Sequence, residues 1–138
     1  MRAVLDPNVI VSAALSRSGT PAKVLRAWLE GTYEMVVSQS LLSELERVLD
    51  YPKIARHVTR REAEELLDLL HRRAYTVDDP EDLPTITSPD PGDDYLISLA
   101  EAARAVIVSG DAHLQGLAER IPVYTPAAFL ALLAAGDQ

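Results

Sequence analysis

The chain has 138 residues, 48% of them hydrophobic, and a formal net charge of −8. That length supports one domain, 1–138, with a substantial core. The lack of cysteine excludes disulfides, zinc–thiolate sites and a thiol nucleophile, and the acidic balance excludes a surface coated in basic charge, leaving room only for a local patch.

Residues 2–6 predict a strand that ends in Asp6, and Pro7 opens a helix to about Leu15. Thr20-Pro21 reads as an N-cap and first helical proline, Val24, Leu25, Trp28 and Leu29 as a buried face, and Gly31 as the stop. Tyr33 to Val37 predict a second strand. Ser38 then caps a helix carrying Leu41, Leu42, Leu45, Val48 and Leu49, which Pro52 ends or breaks. Thr59 and Glu62 form a capping-box pattern before a helix to about Ala74. Residues 78–92, rich in Asp, Glu and Pro, predict a loop. A helix from about Asp93 to Ala103, a strand over 105–109 and a short helix over about 112–119 follow. Pro122 to Tyr124 predict an edge strand, and Thr125-Pro126 opens a last helix closed by Gly136. Strands alternating with helices imply an α/β fold with a parallel sheet covered on both faces. No apolar run has membrane-spanning length and the N-terminus has no signal-peptide pattern, so a soluble, cytoplasmic protein is expected.

The acidic residues fall at junctions of this pattern. Asp6 and Asp111 each close an apolar run, so two parallel strands would bring both carboxylates to the C-terminal edge of one sheet. Open α/β sheets place their sites there. Carboxylates gathered at one edge repel unless a proton or cation lies between them. Hard oxygen ligands suit Mg²⁺ or Mn²⁺. Each residue also has a plainer reading. Asp6 and Asp111 stand at helix-cap positions, Asp90 suits a turn, and Asp93 and Asp94 relieve the positive end of a helix dipole. Glu44 and Glu46 both flank the apolar arc of their helix, and periodicity does not choose between them. Asn8 and Ser12, four apart, share a helical face near Asp6 and suit either a bound water or a wet surface. Arg60, Arg61, Arg72 and Arg73 concentrate positive charge that would guide an RNA backbone or simply pair with nearby glutamates. Other phosphate chemistries fit poorly. Asn8 stands where a haloacid-dehalogenase-type phosphatase needs a second Asp, and no glycine-rich phosphate loop is present.

Five stretches together resemble the PIN domain, in particular the VapC-like toxin ribonucleases of bacterial toxin–antitoxin systems. They are VLDPNVIVSAAL at 4–15, VVSQSLLSELERVL at 36–49, SPDPGDDYLISLAEA at 88–102, VIVSGDAHL at 106–114 and YTPAAFLALL at 124–133. The resemblance implies a three-layer α/β/α sandwich and Mg²⁺- or Mn²⁺-dependent hydrolysis of RNA. It puts the family's acidic positions on Asp6, Glu44, Asp94 and Asp111, with Asp93 competing with Asp94, and its polar helpers on Asn8, Ser12 and Ser109. It also implies a cognate antitoxin. Oligomeric state stays open, with a homodimer among the partners considered. Two positions depart from the pattern. Pro7 replaces the usual hydroxyl residue after the first Asp, and His113 stands where relatives often carry another Asp, so it is either a phosphate or metal contact or a helix-surface histidine. The runner-up reading is the same fold with an inactive pocket, acting as an RNA- or protein-binding module.

Overall fold

In a computed structural model of the chain, residues 1–81, 84 and 86–136 are described. Strand β1 (Arg2–Leu5) leads through helices α1 (Pro7–Leu15) and α2 (Thr20–Leu29) to β2 (Glu34–Val37). Helices α3 (Gln39–Leu49), α4 (Pro52–Ala55) and α5 (Arg60–Arg73) follow, then β3 (Tyr75–Thr76). A 3₁₀ turn at Pro91–Asp93 runs into α6 (Asp94–Ala103) and β4 (Val106–Val108). The chain closes with α7 (Ala112–Gln115), β5 (Val123–Tyr124) and α8 (Pro126–Gly136).

The five strands form one parallel sheet in the order β3-β2-β1-β4-β5. The chain leaves β1 toward β2 and β3, then crosses back to β4 on the other side. Right-handed crossovers in opposite directions set helices on opposite faces, giving the expected α/β/α sandwich. Helix α1 packs on α2 and α3, and α8 on α2, while α6 packs on β1 and β4. The strands are buried on both faces: Ala3, Val4, Leu5, Met35, Val36, Val37, Ile107 and Val108 are all core residues. That explains their continuous apolar runs, where a half-exposed strand would alternate.

Local signals set most boundaries. Ser38 Oγ accepts from Leu41 N–H at 3.3 Å and starts α3, whose Leu41, Leu42, Leu45, Val48 and Leu49 are all buried. Thr59 and Glu62 make the reciprocal capping box of α5. Gly31 takes φ +83° after α2, a conformation glycine adopts without steric cost. Tyr33 meets Phe129 of α8 edge-on at 4.9 Å and donates its hydroxyl to Val24 O at 2.9 Å, pinning α8 to α2.

Three expectations change. Gly19 holds the cap position of α2 without a side-chain bond, so Thr20 and Pro21 are its first two helical residues. Proline is tolerated there because N–H groups in the first turn lack helical partners anyway. The short helix after Asp111 ends at Gln115 and continues as turns through Arg120. Strand β3 lies where none was expected, following α5 directly. Part of the loop over 78–92 lies at residues 82, 83 and 85, and the single-domain assignment runs through 137 and 138, all outside the described residues. Among the described residues, no helix is long and apolar enough to cross a membrane.

Candidate active site

The strand order reverses at β1, so the crevice beyond the ends of β1 and β4 is the topological switch point of the sheet. Asp6 stands there. Its N–H donates to Val108 O at 2.9 Å and extends the β1–β4 ladder by one residue. The following proline favours its extended backbone, φ −53° and ψ 133°. The side chain is buried, with Oδ1 accepting from Asn8 N–H at 2.9 Å and Oδ2 from Ser109 Oγ at 2.8 Å. Burial raises the Asp6 pKa, the bonds from Asn8 and Ser109 oppose that rise, and the charges of Asp111 and Glu44 add to it. Asp6 therefore caps α1 and faces the acidic crevice with one carboxylate.

Ser109 joins the two strand ends. Its fully buried hydroxyl donates to Asp6 Oδ2 and accepts from Asp111 N–H at 3.0 Å. Gln115 Nε2 donates to Ser109 O at 2.7 Å and fixes the turn from outside. Asp111 caps α7, with Oδ1 accepting from His113 N–H at 2.7 Å. His113 Nδ1 lies 3.5 Å from the same oxygen. Asn8 and Ser12 are exposed on α1, Asn8 touching Asp6 through its backbone N–H.

The adjacent pair Asp93 and Asp94 point to different partners. Asp94 Oδ1 accepts from Ser88 N–H at 2.8 Å, tying the incoming loop to the start of α6. Asp93 turns toward the crevice. Burial pushes its pKa up to about 6, and the nearby charges of Asp111, Asp90 and Asp6 add to the rise. Its Oδ2 is buried with no hydrogen-bond partner among the described residues. Ligand atoms of Asp90, Asp93 and His113 all lie within 4.8 Å of one another, a spacing one cation can bridge. Asp90 also keeps its turn role, with Oδ1 accepting from Gly92 N–H at 3.0 Å. An orphaned buried carboxylate oxygen among hard donors and one imidazole fits a divalent cation such as Mg²⁺ or Mn²⁺.

The two glutamates of α3 are not symmetric in space. Glu44 lines a groove of about 450 Å³ with Gln39, Ser40, Ser43, Arg47, Gly92 and Tyr95, and its charge reaches Asp6. Glu46 faces a separate groove against α4 and α5, with Val58 and Leu67. Tyr95, unremarked in the sequence, lies between these charges; burial, then Asp6, Glu44 and Asp93, raise its pKa and keep its hydroxyl protonated. Gln115 and Arg47 were also missed, since each reads as an ordinary polar helix residue. The basic residues of α5 lie elsewhere. Arg60 and Arg61 pair with Glu64 and Glu65 at 3.2 Å, and Arg72 with Asp68 at 2.9 Å, all along one helix. Arg73 lines a groove with Met1, Arg2 and Glu34, at the edge where β1 and β2 begin. That edge is opposite the acidic crevice.

The arrangement defines a class: a parallel α/β/α domain with carboxylates converging at its switch point. The PIN domain family model matches residues 2–113, and the chain belongs to the PIN domain family. PIN domains are in general nucleases. In fold, the chain is similar to a chain of VapBC2 from Rickettsia felis, in a structure bound to a DNA fragment from the promoter. The TM-score there is 0.60 at 19% identity, covering 91% of this chain and 98% of the other. It is also similar to a chain of FitAcB from Neisseria gonorrhoeae, with TM-score 0.54, 20% identity and coverage of 91% and 98%. A domain of a functionally unknown protein from Methanocaldococcus jannaschii gives 0.54 at 13% identity, covering 90% and 89%. At these identities the likeness is one of fold. No curated protein matches the sequence significantly.

Proposed function

We propose that the protein is a metal-dependent endoribonuclease, the toxin of a bacterial toxin–antitoxin pair. The observation that carries this reading is the buried Oδ2 of Asp93, without a hydrogen-bond partner among the described residues, beside the charges of Asp111 and Asp6. We assign the cation to Asp6, Asp93 and Asp111, with Glu44 at the rim and Asp90 and His113 as neighbours. Asp93 takes the place considered for Asp94, because Asp94 is committed to the Ser88 backbone. The fold likeness to chains of VapBC2 and FitAcB supports an antitoxin as partner. A cytoplasmic setting and a homodimer belong to the same reading.

When bound, a divalent cation lowers the pKa of water and offsets charge on a phosphodiester. The chain's own residues hold the geometry. Ser109 and the Asn8 N–H fix the plane of the Asp6 carboxylate, so its orientation does not have to be found during the reaction. Gln115 holds the Ser109 turn, and thereby Asp111. The exposed Asn8 and Ser12 offer polar groups to solvent beside Asp6. Tyr95 keeps its proton and offers a donor at the groove, where an anionic oxygen would lie.

The test is cleavage of a panel of single-stranded and structured RNAs by purified protein. Cleavage is expected with Mn²⁺ or Mg²⁺, is stopped by EDTA, and is lost in Asp6→Asn and Asp111→Asn. Undiminished cleavage by metal-free protein rejects the mechanism. No cleavage with either metal leaves the inactive binding module.

A further inference from the structure

An RNA substrate must approach a crevice of carboxylates on a protein of net charge −8. The arginines of α5 are paired along their own helix or lie at the opposite sheet edge. Arg47 is the single cation among the described residues lining the groove beside Glu44 and Tyr95.

Its guanidinium is held from two sides. Nε donates to Glu44 Oε2 at 3.0 Å and Nη2 to Glu44 Oε1 at 2.5 Å, a two-point pair that occupies both carboxylate oxygens. Nη1 donates to the Tyr51 hydroxyl, and the guanidinium carbon lies 5.4 Å from the Tyr51 ring centre. The Arg47 and Glu44 side chains are 59% and 34% exposed. The two-point geometry puts it at the stronger end of exposed ion pairs, and its exposure leaves it open to exchange. The planar fork that matches a carboxylate matches a phosphate equally well.

We infer that Arg47 is a phosphate-binding residue held in reserve on Glu44, released to a substrate phosphate in this groove when a divalent cation draws Glu44 to the acidic centre. Tyr51 keeps the guanidinium stacked during the exchange, so the fork does not return to bulk water. Glu44 thus trades one cation for another, and the arginine it loses meets the incoming polyanion. The inference rests on the nuclease reading above.

The experiment is a double-mutant cycle on the full chain, with circular dichroism as the folding control. Mn²⁺ affinity is measured by titration calorimetry without RNA for wild type, Arg47→Gln, Glu44→Gln and the double variant. Binding of a fluorescein-labelled phosphorothioate RNA 12-mer is measured by anisotropy, with Mn²⁺ and with EDTA. Arg47→Gln is expected to bind Mn²⁺ about 2–5-fold more tightly, the strength of an exposed ion pair. In the Glu44→Gln background that gain disappears, whereas simple repulsion between Arg47 and the ion would persist. With Mn²⁺ present, Arg47→Gln is expected to bind the 12-mer about 10-fold more weakly, the loss of a charge-assisted phosphate contact. Mn²⁺ strengthens 12-mer binding less in Arg47→Gln than in wild type. Unchanged Mn²⁺ affinity, a gain that survives in Glu44→Gln, or unchanged 12-mer binding each overturns the inference. Wild type that binds neither Mn²⁺ nor the 12-mer removes the nuclease reading and this one with it. A wild type that binds both, with an unresponsive Arg47→Gln, removes only this one.

Discussion

Replacing Ser109 by alanine tests how the strand ends hold the acidic centre. The hydroxyl is fully buried, donates to Asp6 Oδ2 at 2.8 Å and accepts from Asp111 N–H at 3.0 Å. Alanine removes both bonds, leaves no cavity of consequence, and strands a buried carboxylate oxygen. A hydrogen bond to a charged group contributes about 1.5–3 kcal/mol, so a net loss of about 2–3 kcal/mol is expected. For a chain of 138 residues this corresponds to about 7–10 °C in Tm. The assay is urea unfolding in EDTA at pH 8, with wild type, Ser109→Ala, Asp6→Ala and the double variant. Once Asp6 is alanine, the cost of Ser109→Ala should fall to about 1 kcal/mol, because only the Asp111 N–H bond remains to be lost. Burial raises the Asp6 pKa, so the Ser109–Asp6 coupling should weaken as the pH is lowered and the carboxylate takes up a proton. Equal cost in both backgrounds, or a cost under about 0.5 kcal/mol in wild type, would refute the reasoning.

Three further outcomes are expected. Asp93→Asn should leave the metal-free fold intact while weakening Mn²⁺ binding about 10-fold or more, whereas Asp94→Ala should cost about 1 kcal/mol through the lost Ser88 bond and keep its Mn²⁺ affinity; calorimetry and urea unfolding check both, and the reverse pattern would move the site to Asp94. In EDTA, the Asp93 pKa of about 6 lies above its ordinary value of 3.8, so the stability supplied by its neutral form is complete below 3.8 and lost as pH rises through about 6. Asp93 is partly exposed and screened, so this amounts to about 1 kcal/mol, and wild type should lose more stability than Asp93→Asn between pH 5 and roughly pH 7.5. Glu46→Gln should stay within about 0.5 kcal/mol of wild type and keep RNA cleavage, while Glu44→Gln loses Mn²⁺ affinity and turnover together, as paired cleavage and titration assays would show.

The parts of the fold governed by local chemistry were legible in the sequence. Pro7 behind Asp6, Ser38 before α3 and the Thr59–Glu62 box each act within a few residues, and each stands where its spacing put it. Two junction carboxylates, Asp6 and Asp111, followed from the strands that precede them. What depended on distant contacts was not legible. Strand β3 has only two residues, both exposed, and it exists because the edge of β2 is open beside it. Asp93 and Asp94 are chemically identical neighbours, and their separation hangs on the backbone of Ser88, six residues before Asp94. Glu44 and Glu46 flank the same apolar arc, and only the packing of α4, α5 and the 3₁₀ turn distinguishes their grooves. The arginine-rich helix was open for the same reason: composition records charges, but not that Arg60, Arg61 and Arg72 pair along their own helix.

Both outer strands, β3 and β5, are only two residues long. A foreign chain seeking to extend this sheet would find a very short backbone ladder on either flank, too short to hold a register. At the β3 flank the Arg2 guanidinium sits 4.6 Å over the Tyr75 ring, placing a charge beside the exposed aromatic. The longer apolar strands β1, β2 and β4 lie inside these two, with β1 paired on both sides. Short outer strands are one way an open sheet offers little template for edge-to-edge pairing.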